Sequence, residues 1–144
     1  MALRVSLVFC LIITLAGCAA QGTMLPSPGD VKITHPSQDL PPELAAFSGI
    51  WEGVWDGVLL SRLIVERIDS ESARVIYIWD DSPGYFKAGW SRYLAKVFPG
   101  GKLEFGSSER MFIFRMARDR MSIEGERVVT GGRINTVIMK KILP

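Results

Sequence analysis

From residue 47 onward the chain alternates apolar and polar positions with a period of two, in short runs separated by turn-forming clusters. The runs cover residues 49–57, 59–68, 73–79, 91–98, 102–105, 110–117, 121–128 and 133–143. Between them lie Asp80-Asp81-Ser82-Pro83-Gly84, Pro99-Gly100-Gly101 and Thr130-Gly131-Gly132, all of turn composition. Eight short strands with tight successive connections predict an all-β fold, a small antiparallel up-and-down barrel, because closure leaves no exposed sheet edge. Only residues 41–48 have a helical pattern, as a single turn, and residues 85–90 stay open between strand and loop. The predicted barrel domain spans residues 43–144.

The preceding stretch is different in kind. Residues 19–42 carry five of the eight prolines (Pro26, Pro28, Pro36, Pro41, Pro42) and no aromatic residue. Proline fixes φ and removes an amide donor, so residues 18–42 are expected to form an extended tether that holds the domain off a surface. His35 falls in this tether and is expected to be solvated. Beyond the first 17 residues every aromatic side chain lies between Phe47 and Phe114, which is where a core must form.

Residues 1–17 combine a short basic start at Arg4, an apolar run from Val5 to Ile13 and small residues, the pattern of a secretory signal peptide. The alternative is a transmembrane anchor. Spanning takes about 20 apolar residues, and Thr14 interrupts this run, which ends near Ala20. The tetrad Leu15-Ala16-Gly17-Cys18 resembles the lipobox of bacterial lipoproteins at all four positions. The resemblance implies cleavage before Cys18, a diacylglycerol thioether on its sulfur and further acylation by palmitate-like chains. At about 0.8 kcal/mol per buried CH₂, two or three such chains make a lasting membrane anchor. Ala19, rather than aspartate, follows the cysteine. That resembles lipoproteins sorted to the outer membrane, implying a lipid-anchored cell-envelope protein facing the periplasm.

Within the barrel the most specific motif is Phe47-Ser48-Gly49-Ile50-Trp51, echoed by Gly53-Val54-Trp55. Alternation puts Trp51, Gly53 and Trp55 on one face of the first strand, with the glycine leaving room between two indoles. The motif resembles the Gly-x-Trp opening of lipocalins and related calycin barrels. That resemblance implies a barrel floor built from Phe47, Gly49 and Trp51 beneath a short helical turn. It also implies a last-strand arginine over the tryptophan, with Arg133 the best positional match. The domain is shorter than a typical lipocalin and lacks the C-terminal helix and the usual cysteines.

Composition narrows the chemistry. Seventeen basic against 15 acidic residues give a net charge of +2, so nothing in the bulk charge suggests nucleic acid. One histidine and two cysteines, one of them in the leader, leave no His/Cys metal site, no disulfide framework and no Ser-His-Asp triad. No phosphate loop or dinucleotide fingerprint is present, so neither a cofactor nor a metal is expected. Asp80 and Asp81 are the only adjacent carboxylates in a loop; neighbours on a chain point apart, and an envelope hydrolase using them is a distant alternative.

Binding is the remaining chemistry. Trp51, Trp55, Tyr77, Trp79, Trp90 and Arg92 are the candidate ligand-binding residues, since a lumen of Trp, Tyr and one Arg suits an amphipathic molecule with an anionic head. An eight-stranded barrel can instead be filled by its own side chains. The sixth strand is apolar on both faces, Phe112 and Phe114 against Met111 and Ile113, so either residues 80–90 or a partner should cover its outer side. Arg115, Arg118, Arg120, Lys140 and Lys141 suggest a solvated basic face. The expected function is therefore binding of a hydrophobic or amphipathic ligand, or scaffolding of a partner. The alternative is an interaction module that recognises cell-wall glycan or an envelope protein through aromatic side chains, and no enzyme activity is expected.

Overall fold

In the computed structural model, which describes residues 24–142, eight antiparallel strands close into a barrel in sequence order. They are β1 (Gly49–Trp55), β2 (Leu59–Ile68), β3 (Ser72–Trp79), β4 (Gly89–Phe98), β5 (Lys102–Gly106), β6 (Arg110–Met116), β7 (Ser122–Val129) and β8 (Arg133–Ile142). Closure is through β1 and β8, where Ile50, Trp51 and Glu52 pair with Ile142, Lys141 and Lys140. A four-residue helix, α1 (Pro42–Ala45), precedes β1. The predicted strands are all present. The largest boundary shifts are two residues: β1 ends at Trp55, and β4 begins at Gly89 and so takes in the end of the ambiguous 85–90 stretch.

The two ends of the barrel differ. At the end where β1 begins, α1 and Phe47 close the opening. Phe47 and Trp51 are fully buried, their rings meet edge to face at 6.5 Å, and the Trp51 indole N–H donates to the Phe47 carbonyl at 2.8 Å. Inside, Leu63, Val65, Val75, Leu103, Phe114, Ile123 and Met139 have almost no exposure, so the closed half is packed solid. The opposite end carries the β1–β2, β3–β4, β5–β6 and β7–β8 connections and remains open.

Glycine is required where strands crowd on either side of β8. A Cβ on Gly53 would lie 2.6 Å from the Ile138 carbonyl oxygen, and one on Gly125 would lie 2.5 Å from Cε1 of Phe114. Gly53 thus lets β1 approach β8 between the two indoles of Trp51 and Trp55.

The stretch expected to be a free tether is instead laid against the barrel wall. Leu25 is 5% exposed and packs on Ile64, Ile76 and Ile78, outward-facing residues of β2 and β3, with Val31, Ile50 and Leu60 at the margin. The Thr34 amide donates to the Glu66 carbonyl at 2.8 Å, and the Lys32 amide to Glu66 Oε1 at 3.3 Å. Glu66 lies at a register shift between Val65 and Arg67, a bulge that lets Val65 and Ile68 both face the core while the carboxylate turns outward. That carboxylate, in a residue 1% exposed, accepts from Arg74 Nε at 3.2 Å and Arg92 Nε at 3.0 Å. Arg92 in turn pairs with Asp30 of the strap at 3.0 Å. The physical reason is burial: Ile64, Ile76 and Ile78 form an apolar outer face, and covering them with Leu25 removes that surface from water. Burial of one leucine side chain contributes about 2 kcal/mol. The strap is extended, as its prolines require, and its few donors find Glu66.

Candidate functional site

Alternation along each strand determines what reaches the open mouth. On β3, Tyr77 and Trp79 point inward and stack with centroids 6.0 Å apart. On β6 and β7, Arg110 shares the inward phase of Phe112 and Phe114, and Arg127 that of Ile123 and Gly125. With Leu59, Ser91 and Tyr93 these side chains line a cavity of about 380 Å³, over which Tyr85 and Phe86 of the β3–β4 loop lie. This is near the lower end of the roughly 300–1,000 Å³ range of small-molecule sites. A neighbouring cleft of about 550 Å³ shares Tyr93, Arg110 and Phe112, so Arg110 stands between the two.

The cavity wall is a continuous aromatic cluster. Tyr77 and Phe112 approach to 4.5 Å, Phe105 and Phe112 to 5.2 Å, and Tyr93 and Phe105 to 5.0 Å between centroids. Beneath it the Tyr77 hydroxyl, paired with Ser61 Oγ at 3.1 Å, is buried. Burial pushes the Tyr77 pKa up, while the Ser61 hydroxyl and the nearby Arg127, Trp55 N–H and Arg110 pull against it. Trp55 is buried too, and its indole N–H has no partner in hydrogen-bond geometry.

Arg127 is the better held of the two mouth cations. Its guanidinium lies over the Trp55 ring at 5.5 Å and donates to Asn135 Oδ1 at 2.8 Å. Asn135 is fixed by Asp56, whose other oxygen accepts the Thr136 amide at 3.1 Å. That amide, followed by the Asn135 side chain, lowers the Asp56 pKa. Among the described residues neither Arg110 nor Arg127 forms a salt bridge, although Arg62, Arg74, Arg92 and Arg115 all do. Two cations free of carboxylates, set in an aromatic wall, can hold an anionic group and the apolar body attached to it.

The sequence-predicted site residues divide by face. Tyr77 and Trp79 line the cavity, Trp55 backs it, and Trp51 lies at the closed end away from it. Trp90 and Arg92 share a face, but it is the outer one: Trp90 is partly exposed, and Arg92 is engaged by Glu66 and Asp30. The arginines of the mouth are Arg110 and Arg127. Their signal was parity, since each alternates in phase with core residues of its own strand. The cover over β2 and β3 was legible as well, because Val75, Ile76, Tyr77 and Ile78 are apolar on both faces.

Other expectations shift with them. Arg133 begins β8 at the open end and is exposed, eight residues from the position paired with Trp51. Lys141 occupies that position. Its Nζ lies 5.1 Å from the Trp51 ring centroid and donates to the Ala46 carbonyl at 2.9 Å. Gly49 makes room for it, with φ +117 and a would-be Cβ 3.1 Å from Lys141 Cε. Lys141 therefore does not belong to a solvated basic face, and Arg115 pairs with Glu126. The 80–88 loop sits at the mouth, held by the Trp79 indole N–H on the Lys87 carbonyl at 2.8 Å. Met111 and Ile113 on the outside of β6 are half-buried. The Asp80 and Asp81 carboxylates accept backbone amides of their own loop, from Asp81 at 2.8 Å and Ala88 at 2.6 Å.

Among the described residues no group of three or more His, Cys, Asp or Glu side chains is placed to hold a metal ion, and no helix is long and apolar enough to cross a membrane. Cys18 and the leader lie outside the described residues. Comparison with models of protein families finds none that matches this chain, and comparison with curated proteins finds no match either.

Proposed function

We propose that this is a lipid-anchored cell-envelope protein whose barrel mouth binds a small amphipathic molecule through its anionic head. The observation that carries the ligand reading is Arg110 and Arg127, free of carboxylate partners, in the wall of an aromatic cavity. Arg127 is half-buried and reaches Asp56 only through Asn135, and Arg110 is exposed at the rim, so a ligand carboxylate or phosphate would give both a direct charged partner. The packed closed half limits the ligand to what the mouth alone accommodates. The lipobox-like tetrad ending in Cys18 supports the anchor.

Native mass spectrometry of the chain from its producing host should show a co-purified small amphiphile. Fatty acids or lysophospholipids should change tryptophan fluorescence, because Trp79 lines the cavity and Trp55 backs it. An adduct-free spectrum together with unchanged fluorescence would sink the ligand reading. For the anchor, Cys18→Ser should abolish incorporation of labelled palmitate, and persistent labelling would refute it. A second reading, recognition of cell-wall glycan, draws on Tyr85 and Trp90, which are exposed and able to stack on sugar rings. Equal retention of wild type and Trp90→Ala on purified cell wall would dispose of it.

A further inference from the structure

We propose that the open end of the barrel is a membrane-docking face, so that the cavity opens onto lipid headgroups and takes its ligand from the bilayer. This rests on the lipid-anchored reading above. Only residues 19–23 separate Cys18 from Met24, where the described chain begins. Fully extended, that link spans at most about 20 Å. The next residue, Leu25, is pinned to the barrel wall through Ile64, Ile76 and Ile78. A chain acylated at Cys18 therefore holds the barrel against the lipid surface, and some face of it must meet the headgroups.

The strap and the side chains choose the open end. Leu25 packs with Ile64, Ile76 and Ile78 and Asp30 pairs with Arg92, the residue opposite Ile76, whereas Lys32 and Thr34 bond further down the wall at Glu66. The described chain thus leads toward the open end as it approaches the anchor. That end presents Val58 at the tip of the β1–β2 turn, 85% exposed, and Tyr85 at the tip of the β3–β4 loop, 87% exposed. Phe86 and Trp90 are partly exposed beside them. Large apolar and aromatic side chains projecting from adjacent turns are what an interfacial face offers, and tyrosine and tryptophan favour the headgroup level. At the closed end, among the described residues, the only large apolar side chain exposed in a turn is Met121, beside charged neighbours such as Arg118, Asp119 and Arg120. Charges around the mouth balance, with Lys87, Arg110, Arg127 and Arg133 against Asp56, Asp80, Asp81 and Glu109. Docking thus rests on the apolar tips and should survive high salt.

Single cysteines at Val58, Tyr85 and Met121, introduced into the full chain and labelled with an environment-sensitive fluorophore, test this on excess phosphatidylethanolamine–phosphatidylglycerol vesicles doped with brominated lipid. Labels at 58 and 85 should be quenched several-fold more than the label at 121, with little change between low and high salt. Equal quenching at all three positions, stronger quenching at 121, no quenching anywhere, or release by salt would overturn the proposal. The anchor is scored separately, since an unacylated Cys18 takes up the thiol label and is found by mass spectrometry. Selective quenching with a labelled Cys18 would keep the docking face and remove the anchor. A Val58→Asp/Tyr85→Asp chain labelled at Phe86→Cys should lose quenching while keeping the thermal stability of the Phe86→Cys parent.

Discussion

The Lys141 ammonium lies over the Trp51 indole, 5.1 Å from its ring centroid, and ties the last strand to the barrel floor by donating to the Ala46 carbonyl. Burial lowers the Lys141 pKa, so the floor holds a partly desolvated cation whose compensation is the ring face and one carbonyl. Lys141→Ala should cost about 1–2 kcal/mol, because the cation–π contact and the charged hydrogen bond are offset in part by the desolvation of the ammonium. Urea unfolding followed by tryptophan fluorescence measures this, and a Lys141→Arg chain should recover part of the loss. An unchanged midpoint for the alanine variant would mean the contact contributes nothing.

The strap is a second structural test. Removing the Glu66 carboxylate leaves Arg74 to solvent and Arg92 to Asp30 alone, so the loss is that of the charged hydrogen bonds to a buried acceptor, about 1.5–3 kcal/mol. Glu66→Ala should destabilise by about that amount and Leu25→Ala by about 2 kcal/mol. Both should speed tryptic cleavage at Lys32, because the same contacts hold that segment down. Wild-type cleavage at Lys32 as rapid as in an unstructured peptide would return the segment to a free tether.

Gly125 tests the crowding inside the barrel between β6 and β8. An alanine Cβ there would meet Phe114 and Val137 at 2.5 and 2.6 Å, so overpacking should cost about 1–3 kcal/mol. Gly57→Ala serves as the comparison, since its Cβ meets nothing within 4 Å and only its φ of +75 is strained. Equal thermal midpoints for the two variants would contradict the crowding at Gly125.

The two faces of the barrel make opposite predictions for two arginines. Arg127→Met should weaken binding of an anionic amphiphile by about tenfold or more, from a charged hydrogen bond worth about 1.5–3 kcal/mol. Arg92→Met should loosen the strap and leave affinity unchanged. Fluorescence titration with a fatty acid reads both, and the reverse ranking would mean the ligand sits elsewhere.

Acid should act through four aspartates held below the ordinary value of 3.8. The causes are the Arg92 guanidinium for Asp30, the Thr136 amide for Asp56, the Glu71 amide for Asp69 and the Met121 amide for Asp119. A depressed folded-state pKa contributes stability that is complete above the unfolded value and is lost as pH falls through the folded one. The thermal midpoint should therefore hold near neutral pH and drop below about pH 4. Asp69 and Asp119 make the same turn, each accepting the amide two residues on and that of a serine three residues on. The double Asp69→Asn/Asp119→Asn chain should show a shallower acid limb, and an identical limb would exclude both turns as its source.

What the sequence by itself determined was the number of strands, their order, their near-exact spans and which side chains share a face. Period-two alternation and turn residues are local, and they need no knowledge of the rest of the chain. Alternation also paired Trp90 with Arg92 and set Tyr93 opposite them. It does not say which face is inside: both faces of β3 are apolar, and β4 presents aromatic residues on each. Barrel closure decided that, turning Tyr93 into the lumen and Trp90 outward, and bringing Arg110 and Arg127 together from neighbouring strands. The strap was decided the same way. Proline content predicts an extended backbone, but whether that backbone floats or lies down depends on Ile64, Ile76 and Ile78 meeting on one outer surface, and only tertiary pairing assembles that surface.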